Sequence, residues 1–164
     1  MKRFILIRYS ILLVCTANQI RSPIAEVFLK DYLQRMAPEI KWTIQSAGVR
    51  AQTGISASNT VIDLLKKRKF DISNHKSQPI NRQLIENFEL ILTMEAFHKE
   101  ALQTEFPDIK TRLYMLSEMS NLRINVQDPV GKKLEEYLRC VNEIDQWVLN
   151  GIPRILEILN YPNL

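Results

Sequence analysis

The sequence predicts an α/β protein with a single domain, built on a four-stranded parallel sheet with helices on both faces. Four short apolar segments of strand length alternate with segments whose apolar residues recur at helical spacing. No repeat or low-complexity linker divides the 164 residues, and a chain of this length can bury one sizeable core. Alternating strands and helices imply parallel strands joined by right-handed crossovers.

The four predicted strands differ in the strength of their signal. Residues 11–14 form a continuous apolar run, which is typical of a strand buried on both faces. Residues 41–46 alternate between polar and apolar side chains, residues 90–93 indicate another buried strand, and residues 113–116 give a weaker signal. These segments supply the predicted sheet.

Helices are predicted between and after the strands. Pro23 suits the first turn of a helix with one apolar stripe, and Pro38 ends that helix. Further helical segments are predicted about residues 61–65 and 84–87, and over residues 95–105 and 132–149. Gly151 and Pro153 predict a break or kink before a last helical segment at residues 155–159.

The first ten residues are predicted to be a short leader, residues 1–10, that precedes the domain of residues 11–164. Lys2 and Arg3 stand before an apolar stretch and imitate a signal peptide, but polar residues interrupt that stretch and no small-residue cleavage site follows. No segment is long and apolar enough to cross a bilayer. We therefore expect a soluble, cytoplasmic protein with no membrane partner.

Composition argues against several classes of protein. Two cysteines without CxxC spacing, Cys15 and Cys140, are too few for a disulfide scaffold and indicate a reducing compartment. The two histidines form no cluster with metal-ligand spacing, so no metal or other cofactor is expected. The net charge is only +4, and we interpret the basic run at residues 66–69 as a solvated helix end. Nucleic acid is therefore not an expected partner.

The chemistry is concentrated in the loop that follows the first predicted strand. This segment reads C-T-A-N-Q-I-R-S-P from Cys15 to Pro23. A loop between a strand and a helix can aim successive backbone N–H groups at one point, and the helix N-terminus adds the positive end of its dipole. Together these groups form a site suited to phosphate.

Cys15 and Arg21 are the candidate catalytic residues of this loop. The same field stabilises a thiolate, so Cys15 is expected to be ionised at neutral pH without a histidine base. Arg21 supplies a planar fork that can bind two phosphate oxygens. The predicted phosphate-binding residues are Thr16, Ala17, Asn18, Gln19, Ile20 and Arg21. The alternative, a buried structural cysteine beside a loop arginine, leaves a polar loop between two apolar elements unexplained.

The loop resembles the signature C-x5-R-S/T of the low-molecular-weight protein-tyrosine phosphatases, and the resemblance extends over nearly the whole chain after the leader. Further segments similar to family motifs follow in the family's order. They are Ser46-Ala47-Gly48, residues 71–76, residues 90–94 followed by His98, Gln127-Asp128-Pro129, and Tyr137 in the last helix. The resemblance implies the phosphotyrosine phosphatase I-like, Rossmann-like fold.

The resemblance also implies an activity. A cysteine-dependent phosphatase of this family hydrolyses phosphotyrosine on proteins through a cysteinyl-phosphate intermediate. Cys15 would attack phosphorus, and Asp128 would protonate the leaving oxygen and then activate a water molecule. Without the family pattern, Asp128-Pro129 is a common turn dipeptide. The implied substrate is a phosphorylated protein, and a cognate tyrosine kinase is a further partner that the resemblance suggests.

Supporting roles are implied for four residues near the loop. Ser22 would donate a hydrogen bond to the catalytic sulfur, unless it is a simple helix-start hydroxyl. Asn18 tolerates a left-handed conformation, and with Ser46 and His75 it would form a hydrogen-bonded network behind the loop. A solvent-exposed loop histidine is the alternative for His75. His98 is expected on an exposed helix face.

Four positions depart from the family pattern. Ala17 stands where the family often has glycine, so a positive φ there would be strained. Ile20 replaces a second cysteine and removes a thiol that could form a protective disulfide. Gln19 matches neither the Ile of tyrosine phosphatases nor the Thr of protein-arginine phosphatases. Val130 stands where many relatives carry an aromatic residue of the substrate cleft.

These departures leave three alternatives open. A protein-arginine phosphatase is neither supported nor excluded by Gln19. An arsenate reductase of the same fold needs additional cysteines to relay oxidation, and only Cys140 remains. A catalytically lapsed phosphate-binding module is disfavoured because Cys15, Arg21 and Asp128 are all present.

Overall fold

The strands form one parallel sheet. The computed structural model describes residues 8–161, so residues 1–7 of the predicted leader, and residues 162–164, lie outside them. The strands are β1 (Arg8–Cys15), β2 (Lys41–Gly48), β3 (Leu90–Thr93) and β4 (Leu113–Met115). They lie in the order β2-β1-β3-β4, and every pairing is parallel. The predicted four-stranded parallel sheet is confirmed.

Helices cover both faces of this sheet, as predicted. The α-helices are α1 (Arg21–Met36), α2 (Asn59–Lys67), α3 (Arg82–Ile85), α4 (Ala96–Glu105) and α5 (Leu134–Ile158), with 3₁₀ helices at Pro107–Arg112 and Leu116–Ser120. Side chains of β1 alternate between two cores because successive strand residues point to opposite faces. Ile11 and Leu13 pack in the larger core with α1, α2 and α5, whereas Leu12 and Val14 pack in the smaller core with α3 and α4.

The first strand begins earlier than the sequence predicted. Residues 8–10 of the predicted leader belong to β1 and pair with the start of β2. Cross-strand contacts of polar and aromatic side chains hold them there: the rings of Tyr9 and Trp42 lie 5.5 Å apart, and Glu89 accepts hydrogen bonds from the backbone N–H and the hydroxyl of Ser10. An apolar run does not reveal such contacts, so the predicted strand started too late, at residue 11.

Most other boundaries lie within a few residues of the prediction. β3 occupies the predicted residues, Leu90–Thr93, and α1 begins two residues before Pro23. A break or kink was predicted near Gly151 and Pro153. The helix is not interrupted there, and α5 runs continuously from Leu134 to Ile158. Over residues 8–161, no helix combines the length and apolar character that a membrane crossing requires.

Packing along one face keeps α5 continuous. A proline inside a helix costs about 3 kcal/mol through a lost hydrogen bond and a steric clash. Val148, Ile152 and Ile155 lie buried in the larger core on both sides of the proline and offset this cost. Gly151 allows α5 to approach a 3₁₀ helix, since a Cβ built on Gly151 would lie only 2.7 Å from the Cβ of Met119.

We expect Gly151→Ala to lower the free energy of unfolding by about 1–3 kcal/mol through overpacking against Met119. This direction is opposite to the usual effect, since Ala is favoured over Gly in a helix interior by about 1 kcal/mol. Urea unfolding measures the change. Asn150→Ala, at the exposed neighbouring position, is the control and should be as stable as the unaltered protein or slightly more stable. A Gly151→Ala protein with undiminished stability would contradict the expectation.

Candidate active site

The site lies where two central strands end. Val14 of β1 pairs with Thr93 of β3, so the segments that follow them emerge side by side. Ligands of open parallel sheets bind beyond these carboxyl ends. The loop after β1 spans residues 16–20 and leads directly into α1.

Backbone hydrogen bonds fix this loop from outside. The carbonyl oxygen of Cys15 accepts from the N–H of Val49 at 3.0 Å, and that of Thr16 accepts from the N–H of Arg50 at 2.9 Å. The carbonyl oxygen of Gln19 accepts from Ser58 at 2.9 Å. The segment after β2 therefore holds the loop at both of its ends.

The sulfur of Cys15 is buried and in contact with polar groups. The backbone N–H of Asn18 donates to Sγ at 3.3 Å, and the hydroxyl of Ser22 lies 3.0 Å from it. The Asn18 contact places a backbone donor against the sulfur, and the Ser22 hydroxyl can also donate to it, as an anionic nucleophile requires. The first turn of α1, which contains Ser22, adds the positive end of its dipole.

Asn18 organises the residues behind the loop. Its side-chain amide donates to Ser22 Oγ at 2.9 Å and to Ser46 Oγ at 2.8 Å, and its Oδ1 accepts from the N–H of Gln78 at 3.0 Å. Its carbonyl oxygen lies 2.7 Å from Nε2 of His75. The structure thus brings together all four residues for which the sequence suggested supporting roles.

The departures at Ala17 and Ile20 fit the loop without strain. Among the described non-glycine residues, a positive φ occurs at Asn18, Lys69, Asn121 and Asn160, so Ala17 avoids the left-handed region that would penalise its Cβ. Asn18 takes that conformation, with φ of 57°. The side chain of Ile20 is buried in the larger core. Gln19, between them, is half-buried.

Arg21 is the most heavily bonded side chain of the site. It is 1% exposed. Its Nη1 donates to the carbonyl oxygen of Val126 at 2.9 Å and lies 2.9 Å from Oε2 of Glu95. Its Nη2 donates to Oδ2 of Asp128 at 2.7 Å and to Oγ1 of Thr16 at 3.2 Å. Two carboxylates therefore flank one guanidinium.

Asp128 reaches the loop from a distant part of the chain, 107 residues beyond Arg21. Its side chain is 36% exposed, and its Oδ1 accepts from the N–H of Val130 at 3.1 Å. This turn-type hydrogen bond orients the carboxyl group while leaving it in contact with solvent. The turn and the catalytic interpretations of Asp128 are therefore compatible.

His98 was expected on an exposed helix face, and that expectation is wrong. Its side chain is fully buried, and its Nε2 lies 2.8 Å from Thr16 Oγ1 and 3.4 Å from Glu95 Oε2. The reason is that α4 starts immediately after β3, so its first turns pack against the loop after β1. Glu95 was missed, although its position just after a central strand and three residues before His98 was a usable signal.

Burial controls the charge of two further groups. The pKa of His98 is lowered to about 4, mainly by desolvation and to a smaller extent by the positive charge of Arg21. Its ring is therefore neutral at physiological pH. Its Nδ1 has no hydrogen-bond partner among residues 8–161. In α5, desolvation raises the pKa of Cys140 to about 12, which keeps this free thiol protonated. Within the same residues, no three His, Cys, Asp or Glu side chains cluster as metal ligands would.

Comparison with known proteins gives consistent matches. The family model described as low molecular weight phosphotyrosine protein phosphatase matches residues 10–154. The chain is 34% identical over 128 residues to the low molecular weight protein-tyrosine-phosphatase Wzb of Escherichia coli strain K12, covering 78% of this chain and 82% of Wzb. It is 28% identical over 137 residues to the protein-arginine-phosphatase of Bacillus subtilis strain 168, covering 83% of this chain and 89% of that one.

A solved structure shows the same fold. The crystal structure of a low molecular weight protein tyrosine phosphatase from T. tengcongensis superimposes with a TM-score of 0.83 at 30% identity. The match covers 89% of this chain and 99% of that one. The similarity therefore extends over most of the fold.

We expect Gly48→Ala to distort the loop. A Cβ at Gly48 would lie 2.4 Å from the carbonyl oxygen of Thr16 and 3.0 Å from the carbonyl carbon of Ala17. A loop distorted in this way would lose one hydrogen bond to a bound phosphate and would bind inorganic phosphate about tenfold more weakly. Calorimetric titration measures this affinity. Gly54→Ala is the control, because a Cβ there meets open space although its φ of +83° is unfavourable. Equal phosphate affinity in all three proteins would count against the expectation.

We also expect His98 to make the fold sensitive to mild acid. The pKa of His98 is about 6.5 in the unfolded chain and about 4 in the folded chain. Between these two pH values the unfolded chain binds a proton at His98 that the folded chain does not. The free energy of unfolding is therefore undiminished above the upper value and falls by up to about 3 kcal/mol as the pH drops through this window. Urea unfolding of the unaltered protein and of His98→Gln across this window tests it. Parallel pH dependence in the two proteins would show that His98 is not the cause.

Proposed function

Since this chain belongs to the low molecular weight phosphotyrosine protein phosphatase family, we propose that it hydrolyses phosphotyrosine on proteins through a cysteinyl-phosphate formed on Cys15. One observation carries the proposal: the sulfur of Cys15, the buried guanidinium of Arg21 and the carboxyl group of Asp128 meet at a single loop. The name of the similar Escherichia coli protein supports the same substrate.

The first step is nucleophilic attack. The sulfur of Cys15 forms a bond to phosphorus while the bond between phosphorus and the tyrosine oxygen breaks. The Asn18 N–H and the Ser22 hydroxyl stabilise the sulfur before attack. Asp128, which lies beside Arg21 at the exposed side of the site, donates its proton to the leaving oxygen.

The second step releases phosphate. Asp128, now a carboxylate, accepts a proton from a water molecule, which attacks phosphorus and breaks the sulfur–phosphorus bond. Positioning and charge stabilisation provide most of the catalysis in phosphoryl transfer. The backbone N–H groups of residues 16–20 and the guanidinium of Arg21 supply this stabilisation in our proposal.

Phosphoarginine is the second candidate leaving group. The similar Bacillus subtilis protein is named a protein-arginine-phosphatase. Val130, beside Asp128, is 64% exposed and offers no ring for a tyrosine side chain. An aromatic ring is nevertheless present beside the loop. Phe97 is 48% exposed, and its ring centroid lies 5.4 Å from the guanidinium of Arg50, whose backbone N–H donates to the carbonyl oxygen of Thr16. We favour phosphotyrosine because Phe97 can contact its ring.

The proposed activity also has consequences for the protein's cellular compartment and for its functional partner. Cys15 and Cys140 are both free thiols, which fits a reducing compartment, and we propose a cytoplasmic location. A tyrosine phosphatase acts on the product of a tyrosine kinase, so a cognate kinase is the expected functional partner. Arsenate reduction is disfavoured because Cys140 is protonated and buried.

Turnover of p-nitrophenyl phosphate and of a phosphotyrosine peptide tests the chemistry. We expect Cys15→Ser to abolish turnover, because the nucleophile is lost, and Asp128→Asn to lower kcat on the peptide by about 100-fold or more. Cys140→Ala removes the other thiol and should leave turnover unchanged. Turnover retained by Cys15→Ser would refute the cysteinyl-phosphate, and phosphate binding without turnover in the unaltered protein would identify a lapsed module.

A matched pair of peptides that carry phosphotyrosine or phosphoarginine tests the substrate. The proposal expects a higher kcat/KM for phosphotyrosine. A higher value for phosphoarginine would transfer the assignment to the second candidate while leaving the mechanism intact.

A further inference from the structure

The two terminal nitrogens of the Arg21 guanidinium have different surroundings, and we call the sides that they form the Nη1 edge and the Nη2 edge. Nη1 faces Glu95 and the carbonyl oxygen of Val126, whereas Nη2 faces Asp128 and the hydroxyl of Thr16. All four contacts are 3.2 Å or shorter. Each terminal nitrogen carries two N–H groups, and both of those on Nη2 are taken, by Asp128 and Thr16. A phosphoryl group on Cys15 can therefore bind Nη2 only by replacing one of these two acceptors.

The Nη2 edge is the one that can exchange its partner. Asp128 is the more exposed of the two carboxylates, at 36% against 23% for Glu95. Thr16 belongs to the phosphate loop itself, so Nη2 lies on the side of that loop. Release of Asp128 from Nη2 would also free the carboxyl group that the proposed mechanism uses for proton transfer.

The Nη1 edge is anchored by a residue whose backbone is itself fixed. Glu95 is the N-cap residue of α4, and its carbonyl oxygen accepts from the hydroxyl of Thr93 at 3.2 Å. The next N–H, of Ala96, donates to Oδ1 of Asn125 at 2.9 Å. The positive end of the α4 dipole favours the negative charge of Glu95.

His98 links the two edges. Its Nε2 lies 3.4 Å from Glu95 Oε2 and 2.8 Å from Thr16 Oγ1, which in turn accepts from Nη2 of Arg21. Glu95, His98, Thr16 and Arg21 thus form a closed ring of polar contacts. Because His98 is neutral at physiological pH, it contributes no charge that would compete with Arg21 for Glu95.

We propose that Glu95 is a positioning residue for the phosphatase reaction, which holds Nη1 of Arg21 while Nη2 exchanges Asp128 for a phosphoryl oxygen. The inference rests on the proposed function. The guanidinium of Arg21 must keep one orientation to bind phosphate through Nη2. Without Glu95, Nη1 would keep only the carbonyl oxygen of Val126, and the carboxylate that balances the pull of Asp128 would be lost. Loss of this orientation weakens phosphate binding and the transition state together.

Steady-state kinetics and phosphate titration test the role of Glu95. Glu95→Gln keeps the size and an acceptor but removes the charge, and we expect kcat/KM for the phosphotyrosine peptide to fall about 10- to 100-fold, the equivalent of one hydrogen bond to a charged group. The affinity for inorganic phosphate should fall in parallel. Glu95→Asp, which keeps the charge, should retain more of both. Glu100→Gln, at an exposed position on the same helix, is the control and should resemble the unaltered protein.

A double-mutant cycle separates positioning from a general structural effect. Lysine has no second edge for Glu95 to hold, so adding Glu95→Gln to Arg21→Lys should change phosphate affinity by less than about twofold. The same loss in both backgrounds, or undiminished kcat/KM in Glu95→Gln, would overturn the inference. If the unaltered protein fails to turn over, the proposed function is wrong, while phosphate affinity across the cycle still decides the role of Glu95.

Discussion

The site depends on one buried cation. A guanidinium removed from water costs several kcal/mol unless hydrogen bonds and opposite charge offset the loss, and Arg21 is 1% exposed. Its acceptors come from the loop after β1, the segment after β3 and the segment before α5. The need to satisfy this one charge therefore brings distant parts of the chain to the same point.

The loop around Cys15 is held by polar contacts in addition to the burial of Ile20 in the larger core. Asn18 adopts the left-handed conformation and directs its amide to Ser22 and Ser46. Gly48 permits the backbone after β2 to lie against Thr16. In the proposed mechanism, a loop fixed in this way presents its N–H groups to the phosphoryl group without reorganisation, which is the basis of electrostatic stabilisation in enzymes.

Burial also limits which groups take part in the chemistry. His98 lies beside the loop but is neutral, with a pKa of about 4, and Cys140 remains a protonated thiol, with a pKa of about 12. Near neutral pH, His98 is therefore not an imidazolium that could donate a proton, and Cys140 is not a thiolate that could attack phosphorus. The proposed reaction is therefore confined to the sulfur of Cys15 and the carboxyl group of Asp128, with Arg21 between them.

The amino-acid sequence by itself determined the parallel sheet, most helix positions, and the residues of the loop from Cys15 to Ser22. These features depend on local periodicity and on residues adjacent in the chain. Only the tertiary structure showed that residues 8–10 pair in β1, that α5 continues through Pro153, and that Glu95 and His98 lie against the loop. The physical reason is that strand pairing, helix packing and the compensation of a buried charge join residues tens to more than a hundred positions apart. A local pattern can mark a residue such as Glu95 as a candidate, but it does not show which distant residue it contacts.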